Sequence, residues 1–278
     1  MKITNIISVC NLRTINVWKY ASQNIIKHIQ SENYTVIVPK SDIKKFIKIS
    51  PSQYNVLSEE SFTSDFNNYF LKKNILIQNC SQWRFKWYLQ QFIKLAVLEK
   101  MKDEDIFLLW DADTVPLRNL NFFYQGKLLF YKGDEHKKNY FEFIESFLGL
   151  KKENNYSFIA QCFPCKGKWS KSFFLTIEKK WKKNWKHALI DNINFDDFYG
   201  LSEYETLGTF IYNKYKSEIR FLDNKWLRFG KRLIASENYL KYFSFLLKRY
   251  YDFISFEHWD KFFLFSKIKK TSKKKLLN

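Results

Sequence analysis

The sequence predicts an α/β fold: a mixed, mostly parallel sheet flanked by helices, with a helical C-terminal extension. Short apolar runs rich in β-branched residues alternate with segments of helical periodicity through the first 120 residues. One of these runs ends in two carboxylates, Asp111 and Asp113, and open α/β sheets bind ligands at the carboxyl ends of their strands. With 278 residues, 46% of them hydrophobic, the chain can also bury a large core.

The elements of the first half follow one another in βα order. The predicted strands cover residues 3–9, 34–38, 54–57 and 105–110, and the predicted helices cover residues 17–30, 42–49 and 83–100. Pro39 stops the second strand. The helix at 83–100 is the clearest, because Phe85, Leu89, Phe92 and Ala96 recur at helical spacing. This alternation predicts parallel strands joined by right-handed crossovers.

After Leu120 the alternation is less regular. Strands are predicted at residues 127–131 and 157–161, and helices at 140–148 and from 170 to about 189. Another helix begins near Ser202, where Ser202 as N-cap and Glu205 three residues later have the spacing of a capping box. Because no flexible linker interrupts the chain, residues 1–238 are predicted to form one body.

The composition favours an anionic partner. The 47 basic and 28 acidic residues give a formal net charge of +19, which suits nucleic acid, an anionic membrane surface or phosphorylated substrates. Cys162 and Cys165 form a single CxxC without a second pair, so packed, reduced thiols are expected, as in a cytosolic protein. Residues 3–9 are too short and too polar for a signal peptide or a membrane span.

Asp111 and Asp113 are the strongest candidates for chemistry. Side chains two apart in an extended segment point to the same side, so both carboxylates would face one point. Mg²⁺ and Mn²⁺ prefer oxygen ligands and are often held by one or two carboxylates together with substrate phosphates. Asp also favours turns after strands, so a purely local role for the pair is the alternative.

Several segments resemble known sugar-transferring enzymes. The helix containing Trp87 to Lys94 and the strand ending in Asp111-Ala-Asp113 resemble the donor half of a metal-dependent GT-A glycosyltransferase. Later segments resemble bacterial glycosyltransferase-like proteins associated with surface polysaccharide genes: Asp134-Glu-His136 with Tyr140-Phe141, residues 157–161 and residues 202–208.

This resemblance implies a GT-A-like fold that moves a sugar from a nucleotide-sugar donor to a cell-surface glycan or lipid-linked acceptor, with Mn²⁺ or Mg²⁺ as cofactor. Residues 1–120 would form the donor half and 121–238 the acceptor half.

The resemblance also suggests roles for individual residues. Asp111, Asp113 and a late histidine, His258, would bind the metal, and Lys94, Gln91, Trp110 and Asp111 would bind the donor. Glu203 would take the proton of the acceptor hydroxyl if transfer inverts the anomeric centre, with Asp113 as the second catalytic residue. Glu135, His136 and Glu205 would line the acceptor pocket.

Each of these roles has a structural alternative. Lys94 and Gln91 can be surface residues of their helix, and Glu203 can interact with the helix dipole. Glu205 can act only within the capping box, His136 can lie in a loop, and His258 can be a buried structural histidine.

Residues 239–278 combine aromatic with basic side chains, which suits either packing on the body or binding at an anionic membrane surface. The chain is therefore expected in the cytoplasm, either free or peripheral on the inner face of the cytoplasmic membrane. Two other functions compete. A nucleic-acid-binding protein is suggested by the charge and the aromatics, but the lysines are dispersed and no binding module is readable, so no nucleic acid is expected. An inactive glycosyltransferase-like scaffold is disfavoured by the intact Asp pair.

Overall fold

The computed structural model describes residues 1–64, 69, 82–195, 197, 199–223 and 225–260. Its strands are β1 (Ile3–Val9), β2 (Ser31–Val38), β3 (Tyr54–Ser58), β4 (Ile106–Trp110), β5 (Thr114–Pro116), β6 (Phe123–Tyr124), β7 (Lys127–Tyr131), β8 (Cys162–Lys166), β9 (Ile219–Leu222), β10 (Trp226–Leu227) and β11 (Phe253–Ser255). Its helices are α1 (Ile15–His28), α2 (Ile43–Ile49), α3 (Glu60–Thr63), α4 (Gln82–Glu99), α5 (Lys138–Leu148), α6 (Gly167–Trp181), α7 (Trp185–Asn192), α8 (Glu203–Tyr215), α9 (Gly230–Ile234) and α10 (Leu240–Leu247).

The main sheet has five strands in the order β3-β2-β1-β4-β8. The first four are parallel, and β8 pairs antiparallel with β4. The carboxyl ends of the parallel strands therefore meet at one edge of the sheet, where β4 ends just before Asp111. The predicted α/β class with a mixed, mostly parallel sheet is confirmed.

Two three-stranded sheets complete the fold, in the orders β10-β11-β5 and β6-β7-β9. In the first, β11 pairs antiparallel with β5, and Ser255 lies opposite Thr114. Because β11 belongs to the C-terminal segment 239–278, part of that segment is built into the fold next to the Asp pair. Residues 261–278 of the segment lie outside the described residues.

Large apolar side chains fill the space on both sides of the main sheet. On one side α4, α6, α7 and α8 pack together around Phe92, Trp169 and Trp185, which are buried. On the other side α1 covers the sheet through Trp18, and Phe253 of β11 packs in the same core. The two cores hold the carboxyl end of β4 and the start of α8 in fixed positions.

The structure corrects two predicted elements. The helix expected from 170 to about 189 is two helices, because Lys182 adopts a left-handed conformation (φ 54°) after α6 and Asn184 caps α7 by accepting a hydrogen bond from Lys186 N. The strand expected at 157–161 is displaced: β8 starts at Cys162 and includes Pro164. Proline is tolerated there because β8 is an edge strand of the sheet.

Among the described residues, no helix has the length and hydrophobicity needed to cross a membrane. Cys10, Cys162 and Cys165 are buried free thiols. Burial raises the pKa of the Cys10 thiol to about 12, so this cysteine is an inert packing residue.

Candidate active site

The Asp pair lies in a turn between β4 and β5. Thr114 N donates to Asp111 O at 3.0 Å, which closes the turn, and Asp111 N donates to Gln161 O at 2.9 Å. The two acids therefore lie in a turn. The sequence-based prediction that both belong to one extended segment is wrong. The turn is fixed from the other side because Phe256 N, just after β11, donates to Asp113 O at 2.8 Å. The local preference of Asp for turns and a ligand-binding role are thus compatible here.

Lys94 connects this turn to the start of α8. Its Nζ lies 2.7 Å from Asp111 Oδ1, 2.8 Å from Glu203 Oε1 and 3.0 Å from the Tyr204 hydroxyl oxygen. Only 7% of the Lys94 side chain and 8% of the Glu203 side chain are exposed. The lysine is a buried counter-ion for two carboxylates rather than a solvated charge on the helix surface.

Gln91 lies three residues before Lys94 on α4, so both side chains lie on the same face of the helix. Gln91 Oε1 accepts a hydrogen bond from Glu203 N at 3.0 Å, which satisfies one of the unpaired amides at the start of α8. Gln91 Nε2 is buried and has no hydrogen-bond partner within the described part of the chain. One face of α4 therefore positions both the backbone and the side chain of Glu203.

Tyr204 completes the cluster, and the sequence analysis did not single it out. Its hydroxyl donates to Asp111 Oδ1 at 2.7 Å and accepts from Lys94, and its ring stacks on Phe163 of β8 with centroids 5.4 Å apart. Burial and the nearby carboxylates Asp111 and Glu203 raise the pKa of Tyr204 well above its usual value, so it remains a neutral donor. Its position between two glutamates at a helix start was the available signal.

The charges of the cluster do not balance. Burial and, next to it, the Asp111 carboxylate raise the pKa of Asp113 to about 6, although Lys94 and Lys231 act in the opposite direction. Burial alone would lower the pKa of Lys94, but the attraction of Asp111 and Glu203 outweighs it and raises that pKa. Lys94 pairs directly with two carboxylates, Asp111 and Glu203, so its single ammonium leaves negative charge in this cluster, which suits an additional cation.

The two Asp side chains fit a divalent oxygen-binding cation as part of its shell. Among the described residues, no group of three or more His, Cys, Asp or Glu side chains is arranged to hold a metal ion. Magnesium and manganese commonly take one or two protein carboxylates and complete their shell with water and substrate phosphate.

A second carboxylate network lies beside the Asp pair. Glu257 Oε1 accepts hydrogen bonds from Gln161 Nε2 at 3.0 Å and Arg228 Nε at 2.8 Å, and Arg228 Nη1 donates to Glu135 Oε2 at 2.6 Å. Burial raises the pKa of Glu257 to about 7, against the effect of Arg228 and together with that of Asp113. Arg228 therefore connects Glu135, one of the predicted acceptor residues, to this side of the site.

Glu205 is held in a different place. It is fully buried, and its carboxylate accepts hydrogen bonds from Ser157 Oγ at 2.8 Å and Phe158 N at 2.9 Å and pairs with Lys152. Ser202 Oγ accepts from Glu205 N at 3.3 Å, which confirms Ser202 as the N-cap. The carboxylate anchors the 157–158 loop to α8, and the structure does not bring it to the Asp pair.

Three other predicted site residues also lie apart from the cluster. Trp110 is fully buried, donates its indole Nε1 hydrogen to Thr114 O at 2.8 Å and packs edge-on against Phe253. Its indole therefore supports the turn that carries the Asp pair. His136 and His258 are both exposed, and the buried side chain at the end of β11 is Glu257, the neighbour of His258.

Comparison with known proteins gives the chain a family. The model of a family of unknown function (DUF6492) matches residues 12–230. The chain belongs to this family. No curated protein sequence matches it.

Solved structures give the fold a precedent. The fold is similar to that of mouse xyloside xylosyltransferase 1 in its apo form, with a TM-score of 0.50, 11% identity, and coverage of 91% of this chain and 97% of that one. It is also similar to the bifunctional glycosyltransferase WbbM, with a TM-score of 0.52, 14% identity, and coverage of 94% of this chain and 46% of that one. At these identities the likeness concerns the fold, and it confirms the predicted GT-A-like architecture.

Proposed function

We propose that the chain is a metal-dependent glycosyltransferase that moves a sugar from a nucleotide-sugar donor to a cell-surface glycan or a lipid-linked acceptor. The observation that carries this proposal is the bridge from Lys94 to Asp111 and Glu203 at the carboxyl end of β4. It joins a predicted cation-binding residue, a cationic group and a candidate base in one buried cluster. The GT-A-like fold makes sugar transfer the reaction class that this cluster fits.

Each side chain has a chemical task in this proposal. Asp111 and Asp113 would hold Mn²⁺ or Mg²⁺, which supplies Lewis-acid stabilisation to a departing diphosphate. Lys94 keeps the Asp111 and Glu203 oxygens in place and adds positive charge near the phosphates. Glu203 lies at the first residue of α8, where Gln91 and Lys94 fix it, and in an inverting reaction it takes the proton of the acceptor hydroxyl.

The acceptor side is proposed to include Glu135, which Arg228 holds at the end of β11. A lipid-linked acceptor requires an enzyme that works at a membrane surface. The proposal therefore places the chain in the cytoplasm, peripheral on the inner face of the cytoplasmic membrane.

Nucleotide binding measured by thermal shift tests the proposal. Saturating UDP or GDP with Mn²⁺ should stabilise the protein by about 2.7 kcal/mol at a hundredfold excess over Kd, which corresponds to roughly 5 °C for a chain of this size. Asp113→Asn keeps the side-chain shape but removes one ligand charge, so the Mn²⁺-dependent part of the shift should disappear. Asp103→Asn is the matched control, since Asp103 is an exposed acid that pairs with Lys171.

Three results would contradict the proposal. Equal nucleotide-dependent shifts in the wild type and Asp113→Asn would separate Asp113 from the donor site. Salt-sensitive RNA binding without any effect of nucleotide diphosphates would favour the nucleic-acid-binding alternative. An inactive scaffold would bind the nucleotide but hydrolyse or transfer none of the nucleotide sugars offered to it.

A further inference from the structure

The helix α10 exposes apolar side chains in place of the usual polar ones. Of its eight residues only Leu240 and Leu247 are buried. Four large apolar residues of the helix and Tyr250 just after it are exposed; we call these five the aromatic face, with their exposed fractions: Tyr242 (69%), Phe243 (44%), Phe245 (62%), Leu246 (49%) and Tyr250 (65%). A contiguous exposed apolar patch of this kind marks an interaction surface.

Basic residues lie directly beside the aromatic face. Lys241 Nζ lies 4.7 Å from the Tyr242 ring centroid, and the Arg249 guanidinium lies 4.7 Å from that of Phe245. Lys248 is exposed on the same segment, and residues 238–251 contain no acidic side chain. The long lysine and arginine side chains can keep their charges at a polar boundary while their stems lie on apolar surface.

A groove between α1 and α10 extends this basic region. Lys27 and His28 line it from α1, Arg118 and Asn119 from the segment after β5, and Lys241 and Lys248 from α10. Phe245 forms part of its wall. The groove therefore places several basic side chains next to Phe245 of the aromatic face.

We propose that the aromatic face and this groove dock the protein on an anionic phospholipid bilayer. Aromatic and aliphatic side chains enter the boundary between headgroups and acyl chains, and the surrounding cations contact lipid phosphates. Charge complementarity selects this occupant, because a second copy of the chain would bring like charges together. A helix of eight residues is far shorter than the roughly 20 needed to span a bilayer, so α10 lies in the plane of the interface.

The docking surface is rigidly connected to the candidate active site. Arg118 Nη1 donates to Lys248 O at 3.4 Å and Arg118 Nε donates to Asp252 Oδ1 at 2.5 Å, so the end of α10 is tied to the start of β11. Three residues further, Phe256 N binds Asp113 O. Membrane docking through α10 would hold the site in a fixed position relative to a lipid-linked acceptor. This inference deepens the proposed membrane location, but lipid binding itself requires neither a nucleotide nor sugar transfer.

Vesicle co-sedimentation of the full chain tests the proposal, with vesicles of phosphatidylcholine alone or with about one third phosphatidylglycerol. We expect binding to the anionic vesicles only, with weakening when NaCl rises from about 0.05 M to about 0.5 M. Tyr242→Ser with Phe245→Ser should weaken binding at least about tenfold through lost apolar contact. Lys241→Glu with Lys248→Glu should also weaken it at least about tenfold.

The control pairs Ile47→Ser with Lys44→Glu on α2, where both side chains are exposed, and it should bind like the wild type. Circular dichroism checks that all variants fold, and the Mn²⁺–nucleotide thermal shift should be the same in the α10 variants as in the wild type. Equal vesicle binding by the α10 variants and the control would overturn the proposal. So would equal binding to neutral vesicles, or self-association in size-exclusion chromatography that the aromatic substitutions abolish.

Discussion

Removing the charge of Lys94 should lower the free energy of unfolding, because two buried carboxylates would lose their counter-ion. In Lys94→Met, Asp111 and Glu203 would lose the ammonium that lies 2.7 and 2.8 Å from their oxygens in a site with little solvent. Removing one partner of a buried ion pair typically costs about 3–5 kcal/mol, because the remaining charge stays desolvated. For 278 residues this corresponds to a fall of roughly 5–9 °C in Tm.

Denaturant unfolding followed by circular dichroism measures this change directly. Lys138→Met is a matched control, because Lys138 Nζ lies 2.8 Å from Glu142 but the two side chains are 84% and 58% exposed. A solvent-exposed pair four residues apart on a helix contributes little to stability, because water screens it, so Lys138→Met should change the free energy of unfolding far less than Lys94→Met. The two variants therefore compare the same ion-pair distance in buried and exposed surroundings.

A double variant separates charge from shape. Lys94→Met with Glu203→Gln removes one of the carboxylates that Lys94 neutralises, so it should recover at least about 1 kcal/mol relative to Lys94→Met alone. If Lys94→Met instead lost less than about 1 kcal/mol, or if the second substitution made the protein less stable still, Lys94 would not be the counter-ion of this cluster.

Two further predictions concern the chemistry of the site. Glu203→Gln should lower kcat about 10²–10⁴-fold with little change in the donor KM, as measured in steady-state assays with a nucleotide sugar; an unchanged kcat would remove Glu203 as the base. Because a metal ligand must be deprotonated and the pKa of Asp113 is raised to about 6, Mn²⁺ affinity should fall about tenfold per pH unit below about pH 6. The metal-free protein should change in the opposite sense. Because the pKa of Asp113 in the folded state (about 6) lies above its ordinary value of 3.8, the contribution of Asp113 to the free energy of unfolding should rise as the pH falls from about 6 to about 4. Calorimetric titration and thermal melts of the wild type and Asp113→Asn check both signs, and a flat pH response in the wild type would contradict them.

Much of the main sheet could be predicted because its signals are local. The central strands β1 and β4 read as apolar runs, the edge strand β3 is short and alternates in burial, and α4 has a clear helical period, so β1 to β4 and their order of appearance follow from the sequence. The Asp pair was recognisable for the same reason, since it directly follows a buried strand. Lys94 and Glu203 were both predicted as site residues. Their contact could not be derived without the tertiary fold, because they are 109 residues apart in the sequence.

Elements that depend on distant partners escaped prediction. The two-residue strand β10 and the three-residue strand β11 exist because they pair with each other and with β5, and their sequences carry no periodicity of their own. The role of Glu257 depends on this pairing, because β11 places Glu257 inside and leaves His258 exposed. Both residues follow β11, and residues 253–257 are all buried whereas His258 is exposed, so no alternating pattern in the sequence indicates which of the two neighbours points inward.

The partner of the Glu205 carboxylate could not be predicted from the local sequence, although the start of its helix could. The capping-box spacing of Ser202 and Glu205 correctly predicts where α8 begins, but it gives no distant partner for the Glu205 carboxylate. That partner is the loop at Ser157 and Phe158, and the loop lies close to α8 because Gly208, one turn further along the helix, faces the Phe158 ring. An added Cβ at Gly208 would lie 2.2 Å from a ring carbon, so the glycine permits this contact. Glu203 lies two residues before Glu205 and therefore points to another side of the helix, where it faces Lys94. The two glutamates thus serve different parts of the molecule.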